Sequence, residues 1–417
     1  MSISMTSTSS ESVRQPGQPL TFDAFRGGFP ALANQTYLSI CDKMILHKEV
    51  RAAVDVFLDH LERASAVRSE HEVKVHSARE KFARLINVAP DTIAATRNVS
   101  DGVNSIAWAM PWQPGDNVVL SADAEHPNNI YPWLRQRQRG VEVRMVPPLA
   151  DGAIDTDGLL GAIDAKTRLV TAATATFAPG HRTDLRPLGE RCRKQDIFLL
   201  VDGVQTAGIF KHDMQAEGID GFATSTSKGL LGLYGFGFLY VSPRWIDRLA
   251  PAYLSRSGVK QLTDDHSTMG GLDYEYQDGS RRFELGSFNL AGAYAADASL
   301  QLLLDLGPEA IQARVLDLAS RLHAGIQALG IAPAVPGSGP RQSHILTLGK
   351  LDAGGHGFSS DPLIQPLSDR LKAARVAHTI RRGQLRMGLH AYNDVSDIDR
   401  TLDVMRDGLA AIRRTGA

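Results

Sequence analysis

The chain has 417 residues, of which 43% are hydrophobic, 22% charged and 6% aromatic, and its 45 Lys and Arg against 46 Asp and Glu leave a formal charge of -1. That length suits two to three domains with a large core. The near-neutral balance excludes the strongly basic face of a nucleic-acid binder, and no run approaches the roughly 18 consecutive apolar residues of a membrane span. Two cysteines, Cys41 and Cys192, cannot build a disulfide scaffold, and no Cys/His cluster has zinc spacing, so no metal is expected.

Residues 1–20 are rich in Ser, Thr, Gln and Pro and read as a disordered leader. They lack the apolar core of a secretory signal, which makes a cytoplasmic protein the expectation. From about residue 90 to 241, short apolar runs at 117–120, 142–146, 168–173, 197–201, 221–224 and 236–241 alternate with segments of helical period such as 127–139 and 184–194. Alternation of this kind predicts an α/β domain with a mainly parallel sheet flanked by helices. Ligands of such sheets bind at the carboxyl ends of the strands. After residue 282 the texture changes. Ala/Leu-rich helices are expected at 290–306 and 308–329, and a Pro/Gly-rich break at 332–340. A strand at 344–348, a helix at 362–374, a hairpin around Arg382-Gly383 and a terminal helix from Val395 follow. The expected organisation is a large domain over 21–290 and a smaller α+β domain over 291–417, with the N-terminal segment free to pack on the latter.

The strongest local feature is Phe198-Leu199-Leu200-Val201-Asp202-Gly203-Val204-Gln205, a buried strand that runs straight into an acid. A carboxylate there is costly unless something cationic or hydrogen-bonded needs it; alone, it reads equally as a helix cap or a solvated strand end. The next strand leads into Thr224-Ser225-Thr226-Ser227-Lys228-Gly229. A desolvated lysine in that position has a lowered pKa and serves as a Schiff-base nucleophile. Acid and lysine at neighbouring strand ends are the two protein groups that pyridoxal 5'-phosphate requires: the carboxylate keeps the pyridine nitrogen protonated, and the lysine holds the aldehyde and shuttles a proton. The phosphate then needs a helix N-terminus. Thr96-Arg97-Asn98-Val99-Ser100-Asp101-Gly102 offers one, opening a helix expected over 102–110.

Together these motifs resemble the class V aminotransferase family of fold-type I pyridoxal-phosphate enzymes, which holds cysteine desulfurases and isopenicillin N epimerase-like proteins. The likeness runs from about Tyr37 to the C-terminus. It implies that Ser100 and the Val99 amide hold phosphate, and that His126, in Glu125-His126-Pro127-Asn128-Asn129, stacks on the cofactor ring and relays protons. By the same likeness Gln205 bonds the cofactor's phenolic oxygen and Ser225 touches phosphate. Ser227 stands where the family has a histidine. In Phe283-Glu284-Leu285-Gly286-Ser287-Phe288-Asn289, Ser287 is expected to reach the phosphate of a neighbouring subunit, which implies a homodimer with shared active sites. Arg386, in Gln384-Leu385-Arg386-Met387-Gly388-Leu389-His390-Ala391-Tyr392-Asn393, would form a bidentate pair with the carboxylate of an amino-acid substrate. Arg182 is open to a cofactor contact or a structural ion pair. Arg381 and Arg382 are open to an acidic substrate or to a solvated turn.

Desulfurases carry a nucleophilic cysteine shortly before the carboxylate-binding arginine, whereas 375–384 is a tight hairpin without one. The short hairpin resembles the isopenicillin N epimerase-like branch, which includes C–S lyases, and that resemblance implies a lyase-type β-elimination on an α-amino acid as the expected reaction. Lys228, Asp202 and His126 would be its catalytic groups. An aminotransferase, an epimerase or a decarboxylative or aldol enzyme is the alternative. A dinucleotide binder is disfavoured because no G-x-G-x-x-G opens a helix after the first strand.

Overall fold

A computed structural model describes residues 20–260 and 273–415; the expected leader at 1–20 lies, save for Leu20, outside the described residues. Twelve strands are defined among them: β1 (Thr36–Tyr37), β2 (Ile93–Thr96), β3 (Asn117–Ser121), β4 (Glu142–Val146), β5 (Thr167–Ala173), β6 (Phe198–Asp202), β7 (Gly221–Ser225), β8 (Gly237–Val241), β9 (Ile345–Leu348), β10 (Val376–Ala377), β11 (Thr379–Arg381) and β12 (Gln384–Gly388). Seven of them form the central sheet in the order β2-β8-β7-β6-β5-β3-β4. Neighbours from β4 to β7 pair in parallel, while β8 runs antiparallel to both β7 and β2. The mainly parallel α/β architecture is thus the observed one.

Continuous apolar strands are what burial on both faces demands. Along β6, Phe198 and Leu200 join one cluster with Val103 and Ile106 of the helix Val99–Ala109 and with Trp133, while Leu199 and Val201 face the opposite cluster with Leu188 and Cys192. On that second face Phe82 stacks on Phe238 at 4.3 Å, which seats the helix Arg68–Leu85 on the sheet. The helix Leu290–Leu306 packs on the same layer: Lys74, Ser77 and Lys81 of Arg68–Leu85 all reach Asp297.

The expected helix over 127–139 is broken into 3-10 turns at Pro127–Asn129 and Arg137–Arg139 around the short helix Tyr131–Gln136, because Pro127 and Pro132 each remove a backbone donor. The strand β2 and the helices Lys48–Arg63 and Arg68–Leu85 had no counterpart in the sequence reading.

The C-terminal part holds an antiparallel sheet, β11-β12-β9. Its hairpin turns at Arg382 and Gly383, with φ of 49° and 77°; positive φ at both positions suits the twist of a two-residue hairpin. The N-terminal segment returns to this region. β1 pairs in parallel with β10, and the Gly388 amide donates to Leu38 O at 2.8 Å.

Candidate active site

Parallel strands deliver their last residues to one edge, and that edge carries a cavity of about 330 Å³ lined by Val99, Ser100, His126, Asp202, Gln205, Ser225, Ser227 and Lys228, among others. The volume falls within the range of small-molecule sites.

Asp202 closes β6 and is 3% exposed. Its Oδ1 accepts the Val204 amide at 3.0 Å, and no ion pair engages it among the described residues. Burial raises its pKa, opposed by that amide and by the charge of Lys228. A cation brought into the cavity would favour its charged form. Lys228 follows the end of β7 and keeps part of its surface open to the cavity. Burial pulls its pKa below the ordinary lysine value; the nearby Arg386 adds to this and Asp202 opposes it.

The loop that carries Lys228 rests on the turn after Asp202. A Cβ on Gly208 would lie 2.3 Å from Gly229 O, and Gly208 has φ +80°. Only glycine accommodates both the close approach and that backbone conformation.

The helix expected to begin at Gly102 begins at Val99, so the apparent loop is its first turn. The N-cap Asn98 satisfies Asp101 with its side chain and Gly102 with its carbonyl. This leaves the Val99 and Ser100 amides, which have no partner inside the helix, directed at the cavity with the positive end of the helix dipole. Across the cavity Ser225 Oγ and Ser227 Oγ lie 3.4 Å apart. Gln205 gives Nε2–H to Cys41 O at 3.4 Å, and its buried Oε1 has no partner. His126 is exposed on the cavity wall, edge-on to Phe177 at 5.4 Å, with Nδ1 accepting the Asn128 amide. Burial, Lys228 and Arg386 lower its pKa, which favours a neutral ring with a free face.

Arg386 lies on β12 and is 1% exposed. Nε donates to Thr379 Oγ1 at 3.1 Å and Nη1 to Phe177 O at 2.5 Å. No carboxylate pairs with it among the described residues, so a buried cation stands with open donor positions beside the cavity. Ser287 is exposed, with φ +60°, and does not line the cavity of its own chain. Its neighbour Asn289 donates to Tyr234 O at 3.1 Å and so holds the cavity rim.

Of the open readings, Arg182 stands clear of this cavity: it lies over Phe210 at 4.7 Å and lines a second cavity with His212 and Glu217. Arg381 pairs with Asp42, and Arg382 with Asp352, so neither offers a free charge to an acidic substrate. Cys41 is buried with Sγ near the Gly388 backbone, and burial pushes the Cys192 thiol up to about 12. Phe177, Asn128 and the Tyr234-Gly235 rim were not singled out in the sequence. Only the rule that strand ends bear ligands pointed toward Phe177, four residues beyond β5.

The residues fit pyridoxal phosphate. A cation-seeking acid, a desolvated lysine, open helix amides and an orphaned amide oxygen face one cavity, as a pyridine, an aldehyde, a phosphate and a phenol would require.

Comparison with known proteins agrees. The family model described as aminotransferase class-V matches residues 50–401. A probable cysteine desulfurase of Methanothermobacter thermautotrophicus is 34% identical over 256 residues, which span 61% of this chain and 62% of that protein, so the alignment takes in about three fifths of each. The cysteine desulfurase of Thermococcus onnurineus superposes with a TM-score of 0.77 at 20% identity, covering 96% of this chain and 99% of the other. The cystine C–S lyase C-DES, solved with its product cysteine persulfide, gives 0.80 at 22% identity over 91% and 99%. The chain belongs to the class V aminotransferase family and is a pyridoxal-phosphate-dependent enzyme of fold-type I.

Proposed function

We propose that the protein is a lyase that eliminates a β-substituent from an α-amino acid, working as a homodimer. The observation that carries this reading is the pair formed by Asp202, which closes β6, and Lys228, in the loop just past the neighbouring β7; both face one cavity and have no ion-pair partner among the described residues. When bound, pyridoxal phosphate supplies an electron sink that acidifies the substrate α-carbon.

The chain's own residues do the rest. Asp202 would hold the proton of the ring nitrogen at its carboxylate. His126 would pack against the ring, the Val99 and Ser100 amides with Ser225 and Ser227 would hold the phosphate, and Gln205 would bond the phenolic oxygen. Arg386 binds the substrate carboxylate with the donors left free by Thr379 and Phe177, which orients the α-carbon toward Lys228. Lys228 Nζ, whose lowered pKa favours the uncharged amine with a free lone pair, takes the α-proton, and the β-substituent departs with the electron pair of its bond to Cβ.

Two features favour elimination over sulfur transfer to the enzyme. The hairpin before Arg386 carries no thiol, and Cys41 is packed against the Gly388 backbone. The dimer reading rests on the likeness of the Ser287 motif and on that residue's exposed, outward position. No helix among the described residues is long and apolar enough to cross a membrane.

The test offers the enzyme α-amino acids with a thiol or disulfide leaving group at Cβ, following cofactor absorbance and product mass. Elimination predicts catalytic release of ammonia and a 2-keto acid without an added acceptor. Stoichiometric conversion of the cofactor to its amine form would instead establish an aminotransferase.

A further inference from the structure

A side chain from the C-terminal part of the chain bonds the backbone of the residue that follows Lys228. His390, two residues past the end of β12, is fully buried and its Nε2 lies 2.9 Å from Gly229 O, the carbonyl of the residue that follows the lysine. Its Nδ1 lies 2.7 Å from the Ala391 amide. That amide is a donor, so Nδ1 is the acceptor and Nε2 carries the hydrogen that Gly229 O receives. Both ring nitrogens of a neutral histidine are thereby satisfied, and the tautomer is fixed. The ring plane is set as well, stacked on Tyr392 at 5.2 Å and 10°, while the His390 amide donates to Asn393 Oδ1 at 2.9 Å.

The other flank of the lysine is held in a matching way: the Met44 amide of the N-terminal segment donates to Ser227 O at 3.0 Å. The peptide before Lys228 and the peptide one residue beyond it, Gly229–Leu230, are therefore both tied to structure outside the central sheet. The floor beneath Gly229 is the Gly208 contact described above. Of these ties, the His390 bond alone is made by a replaceable side chain. It leaves the same polypeptide stretch as Arg386, four residues earlier.

We propose that His390 is a positioning residue that holds Lys228 at the reach and angle needed to attack the cofactor aldehyde, through its hydrogen bond to Gly229 O. It touches neither cofactor nor substrate. The proposal rests on Lys228 being the attachment point, and it adds that this attachment is controlled from the segment that follows the strand carrying Arg386. A misplacement of about 1 Å at a reacting group costs up to 100-fold in rate, so loosening one of two flanking ties is expected to slow attachment roughly tenfold.

The experiment follows the absorbance of pyridoxal phosphate mixed with the apoenzyme, giving the rate at which the Schiff base forms. His390→Phe keeps the stacked ring and removes the donor. His390→Gln places an amide N–H near the Nε2 position, whereas His390→Asn carries it no further than Nδ1. Thermal melting of each variant records general damage separately. The expected order is wild type and H390Q within about threefold of one another, with H390F and H390N slower by about tenfold or more. Should H390F fail to fold, the comparison of H390Q with H390N decides alone. Equal rates for H390Q and H390N, or a wild-type rate in H390F, overturn the proposal. Borohydride reduction of the wild type separates the two levels: an adduct on Lys228 with variants that do not differ defeats the role of His390 alone, whereas an adduct elsewhere defeats the lysine assignment itself.

Discussion

Replacing Arg386 with glutamine removes a buried guanidinium that has no carboxylate partner among the described residues. Two of its donors are committed to Thr379 Oγ1 and Phe177 O; the remaining N–H groups can form two charge-assisted bonds to a substrate carboxylate. Each is worth about 1.5–3 kcal/mol, so the pair contributes about 4 kcal/mol to binding. At 1.4 kcal/mol per tenfold, that is a loss of roughly 10³ in affinity for the amino acid. An amine of the same skeleton without the carboxylate never made these bonds and should weaken only a few-fold. Dissociation constants for both, read from cofactor absorbance with wild type and R386Q, give the ratio directly. R386Q also strips Phe177 O of its donor, at about 1–3 kcal/mol of stability, so titrations belong well below the melting transition. R386K should recover part of the affinity, since one ammonium cannot supply the planar fork. Equal weakening for acid and amine, or less than tenfold for the acid, refutes the assignment.

Asp202→Asn keeps the shape and the bond from the Val204 amide but removes the charge. Losing one partner of a buried pair costs about 3–5 kcal/mol, so turnover should fall by roughly 10²–10⁴ while the melting temperature of the cofactor-free protein holds; unchanged turnover would contradict the role. Gly208→Ala places a methyl group 2.3 Å from Gly229 O at φ +80°. It should cost about 2–4 kcal/mol in thermal melts and lower the fraction of cofactor fixed by borohydride. His47, His344 and His390 are held by burial at about 4, 3 and 4. The unfolded chain binds protons there first as pH falls below about 6.5. Stability therefore drops from pH 6.5 toward 4, with each histidine worth roughly 3 kcal/mol at the end of that window. Melting curves flat across this range would contradict it.

Much of the sheet was legible because its strands are buried on both faces and read as unbroken apolar runs, as in Phe198–Asp202. The site residues Asp202 and Lys228 were legible for the same reason: an acid and a lysine interrupt such runs where the chain leaves the sheet. The turn at Arg382-Gly383 was visible from its glycine. Tertiary context hid the rest. The helix start at Val99 depends on Asn98 adopting an extended cap, and Gly102 masked the turn as a loop. Arg182 was open to a cofactor contact or a structural ion pair, and only the fold placed it over Phe210, away from the cavity. Phe177 gained its place by lending a carbonyl to Arg386, a contact across 209 residues that no local pattern encodes. His390 was part of a motif, but its bond to Gly229 needed the two regions brought together.

The central claim is that the aldehyde of pyridoxal phosphate is bound by Lys228 and its ring nitrogen by Asp202. Reduction of the purified, cofactor-loaded protein with borohydride, followed by proteolysis and peptide mass mapping, tests it most directly. The expected result is one phosphopyridoxyl group on the peptide containing Ser227-Lys228-Gly229, absent from a Lys228→Ala variant. A colourless protein that takes up no cofactor, or an adduct that persists in Lys228→Ala, would contradict it.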